Sequence, residues 1–211
     1  MTFSGWPDQA LEFYEGLEAD NSKTYWTAHK AVYDKLVLDP MRELAEALAG
    51  ELGEPKIFRP YRDVRFSSDK TPYKTHIGAR IGPTGYVQLS ADGLAAGNGM
   101  YQFEPARLAR YREAVAADVA GAELARIVAD LEAAGISVQG SGTLKSAPRG
   151  YPADHPRIEL LRHKGLYAWR HWGVEPWLQT PEALDHIRAF FRTSGAFSSW
   201  LTEHCPIDTV T

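Results

Sequence analysis

The spacing of apolar residues changes from a helical to a strand pattern at residues 56–100, and this change constrains the fold most. Within this segment, Gly85–Ser90 and Leu94–Met100 are separated by Ala91-Asp92-Gly93. Asp-Gly between two such runs is a strong hairpin signal, because glycine readily takes the positive φ of a tight turn. We therefore expect antiparallel strands joined by hairpins here.

Helical patterns lie on both sides of this strand-rich block. They occupy 7–19, 21–52, 104–134 and 180–191, and Asp39-Pro40 predicts the start of a separate helix within the second range. Helices around a hairpin-rich block predict an α+β fold, with a mainly antiparallel central sheet packed by N-terminal, middle and C-terminal helices. Without repeats or linker-like stretches, residues 1–211 are expected to form a single domain.

Composition limits the location and the chemistry of the protein. No apolar run approaches the roughly 20 residues of a membrane helix, and the first residues do not resemble a signal peptide. The single cysteine, Cys205, allows no intrachain disulfide, which suits a reducing compartment. We therefore expect a cytoplasmic protein without membrane contact. The spacing of the histidines matches no metal motif, so neither a metal site nor a cofactor is predicted.

Positive charge is concentrated in two short segments of an otherwise acidic chain. Segments 59–76 and 145–164 each carry five Lys or Arg against two Asp or Glu, which is +3 each. Since the whole chain carries −4, the remaining residues sum to −10. This acidic remainder argues against general affinity for nucleic acid, which depends on a basic surface.

The first basic segment is the most informative stretch for function. Alternation predicts a strand at 62–66, Ser67-Ser68-Asp69 predicts a turn, and Pro72 stiffens the residues before the next strand. A rigid loop of this kind can hold several donors in fixed positions for a carboxylate or phosphate. The candidate ligand-binding residues are Arg62, Asp63, Arg65, Ser67, Asp69, Lys70, Tyr73, Lys74 and His76.

The second basic segment contributes residues of the same character, stiffened by prolines. Its candidates are Lys145, Arg149, Tyr151 and His155. The leading hypothesis is that both segments form one pocket for an anionic small ligand, phosphorylated compounds included. A structural alternative is that Arg62 or Arg65 only pairs with a carboxylate such as Asp63 or Asp69.

The sequence does not decide whether the protein is an enzyme. If it is, Asp63 or Asp69 and His76 or His155 are the acid–base candidates. A further alternative is a protein-interaction module that uses Trp169, Trp172 and Trp177 as aromatic anchors. Gly97 and Gly99 leave one strand face without side chains, for close packing or for a ligand that approaches the backbone.

The first basic segment also carries a family resemblance. The stretch Arg62-Asp63-Val64-Arg65-Phe66-Ser67-Ser68-Asp69-Lys70-Thr71-Pro72-Tyr73-Lys74 resembles the signature of a domain-of-unknown-function family of bacterial and fungal conserved hypothetical proteins. Leu89–Leu94 and Pro148–Tyr151 share in this resemblance. The resemblance implies an α+β domain and brings no activity, cofactor or catalytic residue with it.

Overall fold

The computed structural model describes residues 2–65 and 69–206, which fold into an α+β structure. Six strands follow the order β1-β2-β3-β4-β6-β5, and the pairs β1–β2, β2–β3 and β5–β6 are antiparallel. The predicted fold class is therefore confirmed. The strands are β1 (Pro55–Ile57), β2 (His76–Ile81), β3 (Gly85–Ser90), β4 (Gly93–Met100), β5 (Ser137–Ser141) and β6 (Gly165–Gly173).

Helices precede, interrupt and follow the strands. They are α1 (Asp8–Ala19), α2 (Lys23–Val32), α3 (Asp39–Leu52), α4 (Pro105–Ala116), α5 (Asp118–Ala133), α6 (Ile158–Leu161), α7 (Glu182–Thr193) and α8 (Gly195–His204). In the described part of the chain, no helix combines the length and hydrophobicity of a membrane-spanning segment.

Helix α3 begins at Asp39 as predicted, but Asp39 is not an N-cap and α3 is not separate from the helix before it. Asp39 has helical backbone angles, and a π-helical turn, Tyr33–Leu38, joins α2 to α3 without a break. The Asp39 N–H bonds to the carbonyl oxygen of Asp34, five residues back. This wider turn lets the helix pass Pro40, whose missing N–H and ring would disturb a regular α-helix.

The chain divides into two compact units, and each is described by itself. Unit 1 comprises Met1–Ala96 and His171–Phe190, and unit 2 comprises Gly97–Arg170 and Phe191–Thr211. In unit 1, the backbone N–H of Trp6 donates to the Leu178 carbonyl at 2.7 Å, and Arg188 Nε pairs with Glu51 at 2.7 Å. These contacts join the two chain segments of unit 1. The single-domain expectation stays a prediction.

In unit 2, α4 and α5 pack beside α6 and α8. The Tyr111 hydroxyl donates to the Leu160 carbonyl at 2.8 Å, and Trp200 Nε1 donates to the Ala120 carbonyl at 3.0 Å. Helix α6 begins at Ile158 and lasts one turn.

Strands β1, β2 and β3, all in unit 1, present two different faces. Ile77, Ala79 and Ile81 of β2 are buried, as are alternate residues of β3. On the opposite face, Arg80 is exposed, and the side chains of β3 are half-buried. One face therefore belongs to the core, and the other is partly open. The strand expected at 62–66 is absent from its described part, residues 62–65.

Candidate functional site

Backbone pairing closes the base of the loop that contains the first basic segment. Tyr61 and Tyr73 form an isolated antiparallel bridge. Beside it, the backbone N–H of Arg62 donates to the Pro72 carbonyl at 2.9 Å. The loop 63–71 is therefore held at both ends, as expected for a rigid turn, although its flanks are too short to count as strands.

Asn21 attaches this loop base to the connection between α1 and α2. Its Nδ2 donates to the Tyr73 carbonyl, and its Oδ1 accepts the Tyr73 N–H, both at 3.1 Å. The Trp26 ring lies parallel to the Tyr73 ring, with 4.4 Å between their centroids. Both rings are buried. The backbone and the side chain of Tyr73 are thus fixed independently.

Two arginines of the loop are paired within the loop. Arg62 pairs with Asp69 and donates to Thr71 Oγ1 at 2.6 Å. Arg65 Nε and Nη2 donate to the two carboxylate oxygens of Asp63 at 2.9 and 2.6 Å. The hydrogen bonds from Arg65 lower the pKa of the Asp63 carboxyl. The ion pairs of the structural alternative are therefore present.

Asp69 and Lys70 also bond within the loop. Asp69 Oδ1 accepts the backbone N–H and the hydroxyl of Thr71 at 2.9 and 2.8 Å. These bonds, together with Arg62, lower the pKa of the Asp69 carboxyl. Lys70 Nζ donates to the Val64 carbonyl at 2.9 Å. Ligand binding by these residues stays a prediction, and Ser67 lies outside the described residues.

A bulge follows the loop base, where β1 meets β2. The backbone N–H of Phe58 donates to the Gly78 carbonyl at 2.9 Å, and the backbone N–H of Lys74 donates to the Pro60 carbonyl at 2.8 Å. Between these two pairs, the single residue Arg59 lies opposite three residues, 75–77. A bulge turns side chains away from their regular strand positions, and bulges are common beside functional sites.

The bulge brings three basic groups close to one another. Burial and the charge of Arg59 lower the pKa of Lys74, and burial and the charge of Lys74 lower the pKa of His76. Within residues 2–65 and 69–206, none of the three forms an ion pair with a carboxylate. Arg59 was not among the candidate ligands, because the sequence does not reveal the bulge that places it here.

The second basic segment belongs to unit 2. Lys145 and Arg149 are exposed, and Tyr151 is half-buried. His155 Nδ1 accepts the backbone N–H of Arg157 at 3.0 Å, so this histidine stabilises its own turn. Since residues 62–76 belong to unit 1, the shared pocket stays a prediction.

Arg157, in the same basic segment, supports the end of a helix in unit 2. Its guanidinium donates to the carbonyl oxygens of Val115, Ala116 and Ala117 at 2.6, 3.0 and 3.1 Å. These are terminal carbonyl groups of α4, which lack partners within the helix. Arg157 therefore stabilises the C-terminal end of α4.

The tryptophans expected to anchor a protein partner pack against other rings. In unit 1, the Trp177 ring stacks on His186 at 4.1 Å and meets the edge of Trp172 at 6.1 Å. In unit 2, a methyl group added at Gly97 would lie 3.1 Å from the Trp169 ring, which shows close packing there. The interaction module stays a prediction.

No cluster of metal ligands accompanies the basic residues. The described residues contain no group of three or more His, Cys, Asp or Glu side chains that could hold a metal ion. The candidate site is therefore the basic bulge of unit 1, with Arg59, Lys74 and His76.

The chain belongs to a family of conserved hypothetical proteins, DUF2461, whose model matches residues 9–200. This confirms the domain-of-unknown-function family, while the loop motif as its signature and its range of organisms stay predictions. Among solved structures, the chain is similar to a conserved hypothetical protein from Pyrococcus furiosus, with 14% identity, 81% of this chain and 96% of that chain covered, and a TM-score of 0.37. A comparison with curated proteins found no match.

Proposed function

We propose that this protein binds an anionic small molecule at the basic bulge of unit 1, formed by Arg59, Lys74 and His76. The supporting observation is that the charge of Arg59 acts on Lys74 and that of Lys74 on His76, while none of the three forms an ion pair with a carboxylate among the described residues. Asp63, whose pKa Arg59 also lowers, is paired with Arg65. Burial, and then the like charge of Arg59, lower the pKa of Lys74. A bound phosphate or carboxylate would remove this repulsion and accept charge-assisted hydrogen bonds.

The described residues of the loop contribute to the proposed site as a frame whose base is held by backbone pairing. The carboxylates of Asp69 and Asp63 pair with Arg62 and Arg65. The remaining positive charge of the first basic segment therefore lies on residues outside these two ion pairs. Rigid placement limits the conformational entropy that is lost on binding. The proposal concerns binding, and catalysis by Asp63 or Asp69 with a histidine stays a prediction.

Thermal-shift assays with inorganic phosphate, glucose 6-phosphate and citrate provide the first test. An anion that binds the folded protein raises its melting temperature. Titration calorimetry with the best of the three then compares Lys74→Met and Arg59→Gln with the unchanged protein. Loss of one charge-assisted hydrogen bond is expected to weaken binding by about ten- to hundredfold.

Arg126→Gln is the matched control, because this arginine is 64% exposed and paired with Asp130 in unit 2. Its affinity for the probe should match that of the unchanged protein. Arg149→Gln tests the second basic segment with the same probe. The proposal is wrong if none of the three anions stabilises the protein, or if Lys74→Met and Arg59→Gln bind as well as Arg126→Gln.

A further inference from the structure

The partly open face of β1–β3 carries two aromatic rings beside the basic bulge. The Phe58 and Tyr86 centroids are 6.3 Å apart, and the ring planes are tilted by 40°. A methyl group added at Gly78 would lie 2.4 Å from the Tyr86 hydroxyl. Tyr86 therefore lies across Gly78, close to the sheet, and the absence of a side chain at Gly78 permits this position.

Strand register places this aromatic surface on the same face as His76. Gly78 lies opposite Gln88, and His76 lies opposite Ser90. Directly opposite residues project to the same face, and residues two apart on one strand share a face. Phe58, the residue after β1, continues this row, since its backbone N–H bonds to the Gly78 carbonyl.

Phe58 and Lys74 provide a ring and a charge at close range. Lys74 Nζ lies over one face of the Phe58 ring, 5.5 Å from its centroid, and Phe58 is 36% exposed. One small molecule that carries both an anionic group and a planar ring can contact Lys74 and Phe58 together.

A polar side chain lies next to the two rings. Gln88 Oε1 accepts the Tyr86 hydroxyl at 3.0 Å, so the side-chain amide N–H groups of Gln88 remain as donors on this face. Donors beside a stacking surface are suited to the polar edge of a heteroaromatic ring. An aliphatic sugar phosphate or a plain carboxylate would leave the ring contact unused.

We propose that the ligand is an aromatic anion of the aryl phosphate or nucleoside monophosphate kind. Its anionic group binds at the basic bulge, its ring stacks on Phe58, and Gln88 donates to the edge of the ring. This inference rests on the proposed function, since it assigns the anionic group to the same three residues.

The test compares three probes by titration calorimetry: inorganic phosphate, cyclohexyl phosphate and phenyl phosphate. The two organic phosphates match in charge and nearly in size, and only one is aromatic. Stacking should make phenyl phosphate bind about tenfold more tightly than cyclohexyl phosphate. Phe58→Leu should abolish this preference, measured as the ratio of the affinities for the two organic phosphates, whereas Phe58→Tyr should retain it. Tyr101→Leu, an exposed aromatic residue of unit 2, is the control.

The outcomes separate this inference from the proposed function. Equal affinities for the two organic phosphates overturn the inference while leaving anion binding intact. A preference that persists in Phe58→Leu also overturns it, because the ring would then bind elsewhere. Failure of all three probes to bind overturns the inference, and it overturns the proposed function as well when glucose 6-phosphate and citrate also fail to stabilise the protein.

Discussion

Replacing Asn21 with alanine tests how the loop base is held. The substitution removes two hydrogen bonds, at 3.1 Å each, to the backbone of Tyr73, a residue that is 5% exposed. Each bond contributes about 0.5–1.5 kcal/mol net, so the expected loss is about 2 kcal/mol. For a chain of this size, about 2–4 °C is lost per kcal/mol, which gives a fall in melting temperature of about 4–8 °C.

Urea and thermal unfolding followed by circular dichroism measure this loss. Asp20→Ala is the control, because Asp20 is adjacent and exposed. Asn21→Asp keeps the shape and the acceptor but places a carboxylate oxygen against the Tyr73 carbonyl. The pKa of the new carboxyl should be raised in the folded state, since only its protonated form can donate. The loss of stability in Asn21→Asp should therefore be small in acid and grow as pH rises. If Asn21→Ala is as stable as Asp20→Ala, the reasoning about the loop base fails.

Two further predictions concern the pH dependence of stability and the hairpin turn. Burial and Lys74 lower the pKa of His76, so the unfolded chain binds this proton more readily and stability should fall as pH drops below about 6.5. The free energy of unfolding, measured in urea melts, should therefore differ between pH 5 and pH 7.5, and His76→Gln should reduce that difference. An unchanged difference in the variant would contradict the role of His76. Gly93→Ala should cost at least about 3 kcal/mol in thermal melts, because its φ is +103° and the added carbon would lie 1.8 Å from the Gly173 carbonyl oxygen. Gly50→Ala, in α3 with open space around it, should instead stabilise by about 0.5–1 kcal/mol, and equal effects at both glycines would refute the steric argument.

Features encoded by local chemistry could be predicted from the sequence. The Asp92-Gly93 turn could be predicted because Gly93 takes the positive φ that the hairpin needs. The end of α3 at Gly53 follows the same logic. The break at Pro40 was a wrong prediction, because whether a helix stops at proline or widens before it depends on packing elsewhere.

The candidate site was only partly predictable. Both an anion-site interpretation and a structural one are consistent with the presence of Arg62, Arg65, Asp63 and Asp69. Only the geometry shows which of these groups pair. The bulge at Arg59 arises from a change in register between the Phe58–Gly78 and Tyr61–Tyr73 pairs. Register is set by distant strand pairing, so no local pattern at Arg59 indicates it.

The surplus charge of the first basic segment can now be assigned to particular side chains. Two of its five cations, Arg62 and Arg65, are balanced by its two carboxylates, so the net +3 belongs to Arg59, Lys70 and Lys74. Lys70 bonds to a loop carbonyl, whereas Arg59 and Lys74 lie at the bulge beside the loop base. A variant that loosens this base, such as Asn21→Ala, should therefore weaken anion binding and stability together. Lys74→Met should weaken binding while leaving the base intact, because the backbone bond of Lys74 does not depend on its side chain.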